Sequence, residues 1–362
     1  MRLIVAVGAR ANVVKVAPLL PALSAAGNQV QIAFGGVRQD ALDSGTGFVR
    51  VFGVSMPAPT WYVDSGSGSS AAVTGVAMQS YERLFAIERP DAVLVCGDVN
   101  ATLAAAVSAA RAGLPVVHLE AGLRCGDLAM SDEINRVLIS RVAAMHLVPT
   151  QLAMENLEDE GIEPERIHFV GNTVAEQALR ELEDVQTVPL AGSMQLAERG
   201  YVLATFHRPA HLNDERWLAG VLEGLGRLRM QVVLPDSDAF VAATTRAGLS
   251  MPARLITEGP LPHLEILSLI RRAAAVITDA GGVQDEACVL CTPCVTVRSC
   301  TEHVATVICG ANVLVEPEAA QIESALVTAI ESRRQWAQPA RWDRAVSDRV
   351  MRALRRGIIP LR

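Results

Sequence analysis

A repeated alternation constrains this chain most: short apolar runs, each followed by a segment of helical period, arranged as two separate series. In the first half the strand candidates are Arg2–Val7, Gln29–Phe34, Ala92–Cys96, Pro115–His118, Met145–Val148 and His168–Val170. In the second half they are Tyr201–Ala204, Gln231–Leu234, Leu255–Thr257, Ala275–Thr278 and Cys294–Val297. Between them run helical periods at Val13–Ala25, Ala101–Ala112, Arg216–Leu228, His263–Arg272 and Val283–Leu290. Strands separated by helices make parallel βαβ units, so the pattern predicts an α/β protein of two Rossmann-like, doubly wound parallel-sheet domains facing each other across a cleft. A length of 362 residues suits two such domains.

The expected boundaries are 1–178 and 179–340, with the polar stretch Leu179–Gly200 as linker. Residues 341–362 carry a last helix, about Trp342–Arg355, expected to cross back over the first domain. Pro18 inside the first helical period predicts a kink or a 3₁₀ turn. The weakly patterned stretch Phe48–Ala71, rich in Gly and Ser, reads as a loop bordering the site.

Composition narrows the function classes. The chain is 50% hydrophobic and 20% charged with a net charge of −7, and no basic stripe is interleaved with aromatics, which argues against nucleic acid as a partner. No run of about 20 apolar residues is present, so no membrane-spanning helix is expected. The N-terminus has no pattern of a signal peptide, and the expected location is cytoplasmic, with the seven cysteines as reduced thiols. Cys288, Cys291 and Cys294 form C-x2-C-x2-C, a spacing that iron–sulfur proteins use, but helix and strand periods would keep the three from converging. No metal or cofactor is expected.

In doubly wound sheets ligands bind beyond the carboxyl ends of the strands. The polar residues that follow the strands are therefore the candidates: Arg10, Lys15, Asp98, Glu120, Asp132, His207 and the run Asp279-Ala280-Gly281-Gly282. The glycine turn at 281–282 opens a helix whose first N–H groups can receive a diphosphate, although a strand-to-helix turn also needs glycine for conformational reasons alone. Glu286, one turn into that helix, can accept from ribose hydroxyls, and Arg10 and Arg208 are phosphate partners. Asp98, Glu120 and Asp132 follow three different elements, and with a His from the other domain they suit proton transfer on a neutral sugar ring.

These residues also carry a resemblance. The sequence is similar to UDP-N-acetylglucosamine 2-epimerases at G-A-R-x4-K-x-A-P-L (8–19), GDVNATLAAA (97–106), HLEAGLRCGD (118–127), DEINR (132–136), GNT (171–173), FHR (206–208), TDAGGVQDEA (278–287) and RSCTEH (298–303). The resemblance implies a GT-B-like domain pair and a reaction without nicotinamide cofactor, in which UDP leaves to give a 2-acetamidoglucal and returns after protonation of the opposite face of C2. It implies catalytic parts for Asp98, Glu120, Asp132 and His207. It implies substrate binding by Arg10, Lys15, Arg124, Glu133, Arg136, Arg208, Ala280, Gly281, Gly282, Glu286, Arg298 and Glu302, and a homodimer.

Departures from the family pattern are also present. Asp132-Glu133 stand where paired glutamates are usual, after a connection two residues shorter, and Asn12 stands where Glu is usual. Val37-Arg38-Gln39, Pro209-Ala210 and His303-Val304-Ala305 replace other family runs, so a second, activating UDP-sugar site looks dismantled. The sequence leaves open a hydrolysing outcome with release of N-acetylmannosamine, a GT-B glycosyltransferase, and a non-catalytic UDP-sugar-binding protein.

Overall fold

The computed structural model describes residues 1–9, 11–35, 48–51, 54–187, 196–332 and 336–358. The chain divides into two compact units: Met1–Gln177 with Ala340–Arg362, and Ala178–Pro339. The expected α/β class is what the structure has.

Unit 1 is built on seven parallel strands: β1 (Arg2–Val7), β2 (Gln29–Gly35), β5 (Trp61–Val63), β6 (Ala92–Cys96), β7 (Val116–Leu119), β8 (Met145–Val148) and β9 (Ile167–Phe169). Across the sheet they run in the order β5-β2-β1-β6-β7-β8-β9. β3 (Phe48–Val51) and β4 (Val54–Pro57) pair separately as an antiparallel ribbon. Because helices cover both faces, the central strands are apolar throughout, and β1 and β6 are buried along nearly their whole length. Val5, Leu94, Val117 and Leu147 pack into one face and Ile4, Val93, Val95 and Val116 into the other. The chain leaves β1 toward β2 on one side and returns to β6 on the other, so the strand order reverses between β1 and β6.

Phe48–Ala71 is not a loop throughout: β5 extends the sheet at Ala33↔Trp61, and the helix Ser70–Glu88 begins inside the stretch, capped by the Ser69 hydroxyl on Ala72 N. A three-residue edge strand is too short to show a period. At Pro18 a 3₁₀ turn, Ala17–Leu19, separates the helices Ala11–Val16 and Leu20–Ala25, as the proline predicts.

The last helix, Val346–Arg356, belongs to unit 1 and buries Val346, Val350, Met351 and Ala353 in its core. Ser347 fixes its position: its N donates to Glu176 Oε2 at 2.9 Å, and its Oγ lies 2.6 Å from the same oxygen and 2.9 Å from Pro18 O, with one proton to share between them. Trp342 Nε1 adds a bond to Pro149 O at 3.2 Å.

Unit 2 repeats the plan with six parallel strands: β10 (Tyr201–Thr205), β11 (Gln231–Leu234), β12 (Leu255–Thr257), β13 (Ala275–Thr278), β14 (Cys294–Val297) and β15 (Asn312–Val315). Their order is β12-β11-β10-β13-β14-β15, which reverses between β10 and β13. Phe206, Trp217, Phe240, Ile277 and Val295 lie in its core. The stretch read as linker contains a helix, Leu182–Thr187, which packs on the helix His263–Arg272. No helix among the described residues is long and apolar enough to cross a membrane.

Candidate active site

The two reversal points, where neighbouring strands send their connections to opposite faces, are where doubly wound sheets open a crevice. In unit 1 the helix Ala11–Val16 that follows β1 carries Lys15, and the loops after β6 and β7 carry Asp98 and Glu120. Lys15 Nζ donates to Glu120 Oε2 at 2.5 Å, with the two side chains 16% and 4% exposed. Burial alone would pull the Lys15 ammonium down, but Glu120, with Cys96 and Asp98 nearby, raises it above its ordinary value, so Lys15 is charged. The turn is tight. Gly97 sits at φ 70°, and a Cβ there would come within 2.9 Å of Asn12 Nδ2 and 3.6 Å of Lys15 Nζ. Glu120 itself adopts φ 64°, a left-handed conformation that costs a non-glycine residue and gathers at functional sites.

Asp98 is held from the helix Ser131–Val142. Arg136 Nε donates to Asp98 Oδ2 at 2.7 Å, and Asn135 Nδ2 donates to Asp98 O at 2.8 Å. Arg136 also pairs with Glu133, whose Oε1 accepts from Gly126 N at 2.9 Å. Glu133 and Arg136, expected at the substrate, are 1% and 2% exposed with charged atoms on protein groups. In this arrangement they position Asp98. Asp132 precedes them at the start of the same helix. Arg124 directs its guanidinium to Glu160 (2.7 Å) and Ser140 Oγ (2.8 Å), tying two helices together. Arg10 lies outside the described residues, as do Val37, Arg38 and Gln39.

In unit 2 the loop after β10 carries His207 and Arg208, and the loop after β13 carries Asp279 to Gly282. Asp279 joins them. Its Oδ1 accepts from His207 N (2.9 Å) and its Oδ2 from Arg208 N (3.1 Å) and His211 Nδ1 (2.9 Å). Burial would raise the Asp279 carboxyl, but the His211 ring and the two backbone N–H groups hold it below the ordinary carboxylate value. His207 is thereby presented at the surface, and Arg208 reaches Glu302 Oε1 at 3.2 Å. Arg298 pairs with the other Glu302 oxygen at 2.7 Å.

No side chain caps the helix Gly281–Val289, so its first N–H groups remain for a ligand. Gly281 has no room for a side chain: a Cβ there would lie 2.2 Å from His303 Nε2, a ring fixed by Asp285 Oδ1 at 2.9 Å from Nδ1. One turn on, Glu286 Oε1 meets His263 Nε2 at 2.8 Å, and His263 Nδ1 faces Glu181 Oε2 at 3.3 Å. Burial would lower the His263 imidazole, yet Glu286 and Glu181 outweigh it and push it up to about 9. His263 is therefore a cation at neutral pH, set between two carboxylates.

His263, His211, His303 and Asp285 are absent from the residues selected by sequence, because each acquires its meaning from a partner on another element.

His263 yields the first prediction. A histidine whose folded pKa lies above 6.5 contributes stability that is complete below that pH and lost as pH rises toward about 9. Thermal unfolding of the wild type should show a declining Tm across that window, and His263→Gln should remove this part of the slope. Parallel profiles for the two proteins would refute the ion-pair reading.

The chain is similar in sequence and in fold to known proteins. The sequence profile of the family described as UDP-N-acetylglucosamine 2-epimerase matches residues 25–355. The UDP-N-acetylglucosamine 2-epimerase of Methanocaldococcus jannaschii is 30% identical over 94% of this chain and 95% of its own. The UDP-2,3-diacetamido-2,3-dideoxy-D-glucuronate 2-epimerase of Pseudomonas aeruginosa is 37% identical over 72% of this chain and 74% of its own. A crystal structure of the M. jannaschii enzyme in complex with UDP-GlcNAc and UDP aligns with a TM-score of 0.89 at 29% identity, covering 99% of this chain and 100% of that one. With the profile matching most of the chain and the M. jannaschii enzyme 30% identical over 94% of it, the chain belongs to the UDP-N-acetylglucosamine 2-epimerase family.

Proposed function

We propose that this enzyme interconverts UDP-N-acetylglucosamine and UDP-N-acetylmannosamine. The observation that carries the reading is the Lys15–Glu120–Asp98 cluster after β1, β6 and β7 in a chain of this family: two carboxylates and a charged lysine gathered where a sugar ring needs proton transfer. A carboxylate removes the C2 proton as the C1–O bond breaks and its electrons leave with the diphosphate, giving the 2-acetamidoglucal. Protonation of C2 from the other face and return of UDP to C1 complete the inversion. The negative charge that develops on the diphosphate is stabilised by Arg208, Arg298, His207 and the N–H groups of Gly281 and Gly282, while Ala280 N donates to Thr278 Oγ1 at 2.9 Å and sets the turn. Glu286 accepts from the ribose hydroxyls. Asp132 is assigned to the second face of the ring, with Lys15 paired to the Glu120 carboxylate.

NMR of UDP-N-acetylglucosamine with the enzyme in D₂O tests this directly. Deuterium should enter C2 as the manno epimer appears with its UDP retained. Release of UDP together with free N-acetylmannosamine from the first time points would instead establish the hydrolysing outcome. The P. aeruginosa relative favours a second substrate reading, a UDP-2,3-diacetamido-2,3-dideoxy uronate. Faster C2 exchange on that compound would make it the substrate.

The enzyme acts as a cytoplasmic homodimer in this reading, the location being favoured by seven cysteines that form no disulfide. Ile134 and Leu138, 44% and 46% exposed and one turn apart on the helix Ser131–Val142, form an apolar patch that a second copy would cover. Leu138→Glu should shift the mass measured by light scattering from dimer to monomer. An unchanged dimer would remove this face from the interface.

A further inference from the structure

The helix Gly281–Val289 presents its glycine N–H groups at one end and a thiol at the other. Cys288, buried in the last turn, has its Sγ 3.7 Å from Sγ of Cys309, a half-buried residue that follows the helix Val304–Ile308. The pairing crosses the C-x2-C-x2-C run instead of following it. Cys294 is buried on β14, with Sγ 3.9 Å from Thr296 Oγ1, and Cys291 is exposed in a left-handed turn at φ 57°. Contact with the Cys288 thiol draws the Cys309 thiol below its ordinary value against the effect of burial, with Ala311 N assisting, while Cys309 Sγ also lies 3.4 Å from Thr306 O.

We propose that Cys288 and Cys309 form a reversible oxidation site, closed to a disulfide by a hydroperoxide and reopened by a thiol. The Cys309 thiolate attacks a peroxide oxygen, the O–O bond breaks, and the other oxygen leaves with a proton as water (or as an alcohol from an organic peroxide). The sulfur of Cys288 then attacks Sγ of the Cys309 sulfenic acid. The S–S bond forms, the S–O bond breaks, and the hydroxyl departs as water with the Cys288 proton. The cysteine pair loses two electrons and one peroxide gains them. Two external thiols reverse the change and become a disulfide themselves.

Closure reaches the candidate site. The sulfurs must move from 3.7 Å to about 2.0 Å apart, which draws the two helices together at their thiol ends. At their other ends the same helices meet at Gly281 and His303, where there is no slack: a Cβ on Gly281 would lie 2.2 Å from the ring. Asp285, on the first helix, is bonded to the His303 ring, so movement of one helix against the other shifts the N–H groups of Gly281 and Gly282. Oxidation thus weakens nucleotide binding, a consequence that rests on the proposed function, whereas the linkage itself does not.

The experiment treats the full chain with hydrogen peroxide, blocks remaining thiols and maps peptides without reduction. A peptide pair linking Cys288 to Cys309 should appear in the wild type and in Cys291→Ser, and vanish in Cys309→Ser, whose half-buried site tolerates the change. UDP affinity by calorimetry should fall about fivefold or more on oxidation and return with dithiothreitol. Oxidation of Cys291 without the linked pair would overturn the site. A linked pair with unchanged UDP affinity would overturn its coupling to the nucleotide. Failure of the reduced protein to bind UDP would speak against the functional reading while leaving the linkage measurement intact.

Discussion

Asp98→Asn lowers turnover by about 10² or more and leaves UDP affinity and Tm nearly unchanged. The amide has the shape of the carboxylate and can keep its oxygen toward Arg136 Nε, which stands 2.7 Å from Asp98 Oδ2, so the loop after β6 stays in place. What disappears is a proton acceptor. The groups assigned to UDP belong to unit 2 and are untouched. Glu120→Gln makes an informative contrast, because Glu120, itself buried, also neutralises the part-buried Lys15 at 2.5 Å. That variant should lose turnover to a similar extent and lose about 3 kcal/mol or more of stability as well, since breaking one side of a buried ion pair strands the other charge. Turnover, C2 deuterium incorporation and thermal unfolding measured on the same preparations separate the two roles. Wild-type C2 exchange in Asp98→Asn would remove Asp98 from the chemistry, and an unaltered Tm in Glu120→Gln would remove the ion pair from the account.

Sequence alone revealed the sheets because parallel strands buried on both faces leave unmistakable apolar runs, as in LIVAV of β1 and AVLVC of β6. Elements at the margins left no such mark. β5 has three residues, and β15, an edge strand, has Val313 43% exposed. The helix Leu182–Thr187 lies in a stretch with four acidic residues between 181 and 198 that reads as linker. Placement after strands located Asp98, Glu120, His207 and the 279–282 turn, since loop position follows from strand position. Partnership was beyond reach. Arg124 and Glu160 are 36 positions apart and His263 and Glu286 are 23 apart, so whether such a group faces a ligand or another side chain is decided by tertiary packing. The cysteines show the same limit. The visible spacing groups 288, 291 and 294, while the close pair is 288 with 309.

Asp279→Asn is expected to combine a loss of stability with a loss of activity, because one buried carboxylate organises both loops at the reversal point of unit 2. Each of its oxygens can only accept, and each faces donors: His207 N on Oδ1, Arg208 N and His211 Nδ1 on Oδ2. An amide offers one acceptor and one donor, so in either orientation its NH₂ points at a backbone N–H. At 0% exposure no water relieves that clash, and an unsatisfied buried pair costs about 1–3 kcal/mol. The backbone at 207–208 must then shift. Displacement of about 1 Å in groups that face a reacting phosphate lowers rates by about 10², so kcat/KM should fall on that scale with weaker UDP binding. The pH dependence has a definite sign. The carboxyl is held below its ordinary value in the folded protein, so its contribution is present above the unfolded value of about 4 and is lost as pH falls through the folded one. The variant should therefore start from a lower Tm at neutral pH and lose less on acidification. If its Tm instead runs parallel to the wild type down to about pH 3, Asp279 is not the charged centre of this turn, and the placement of His207 and Arg208 must depend on other contacts.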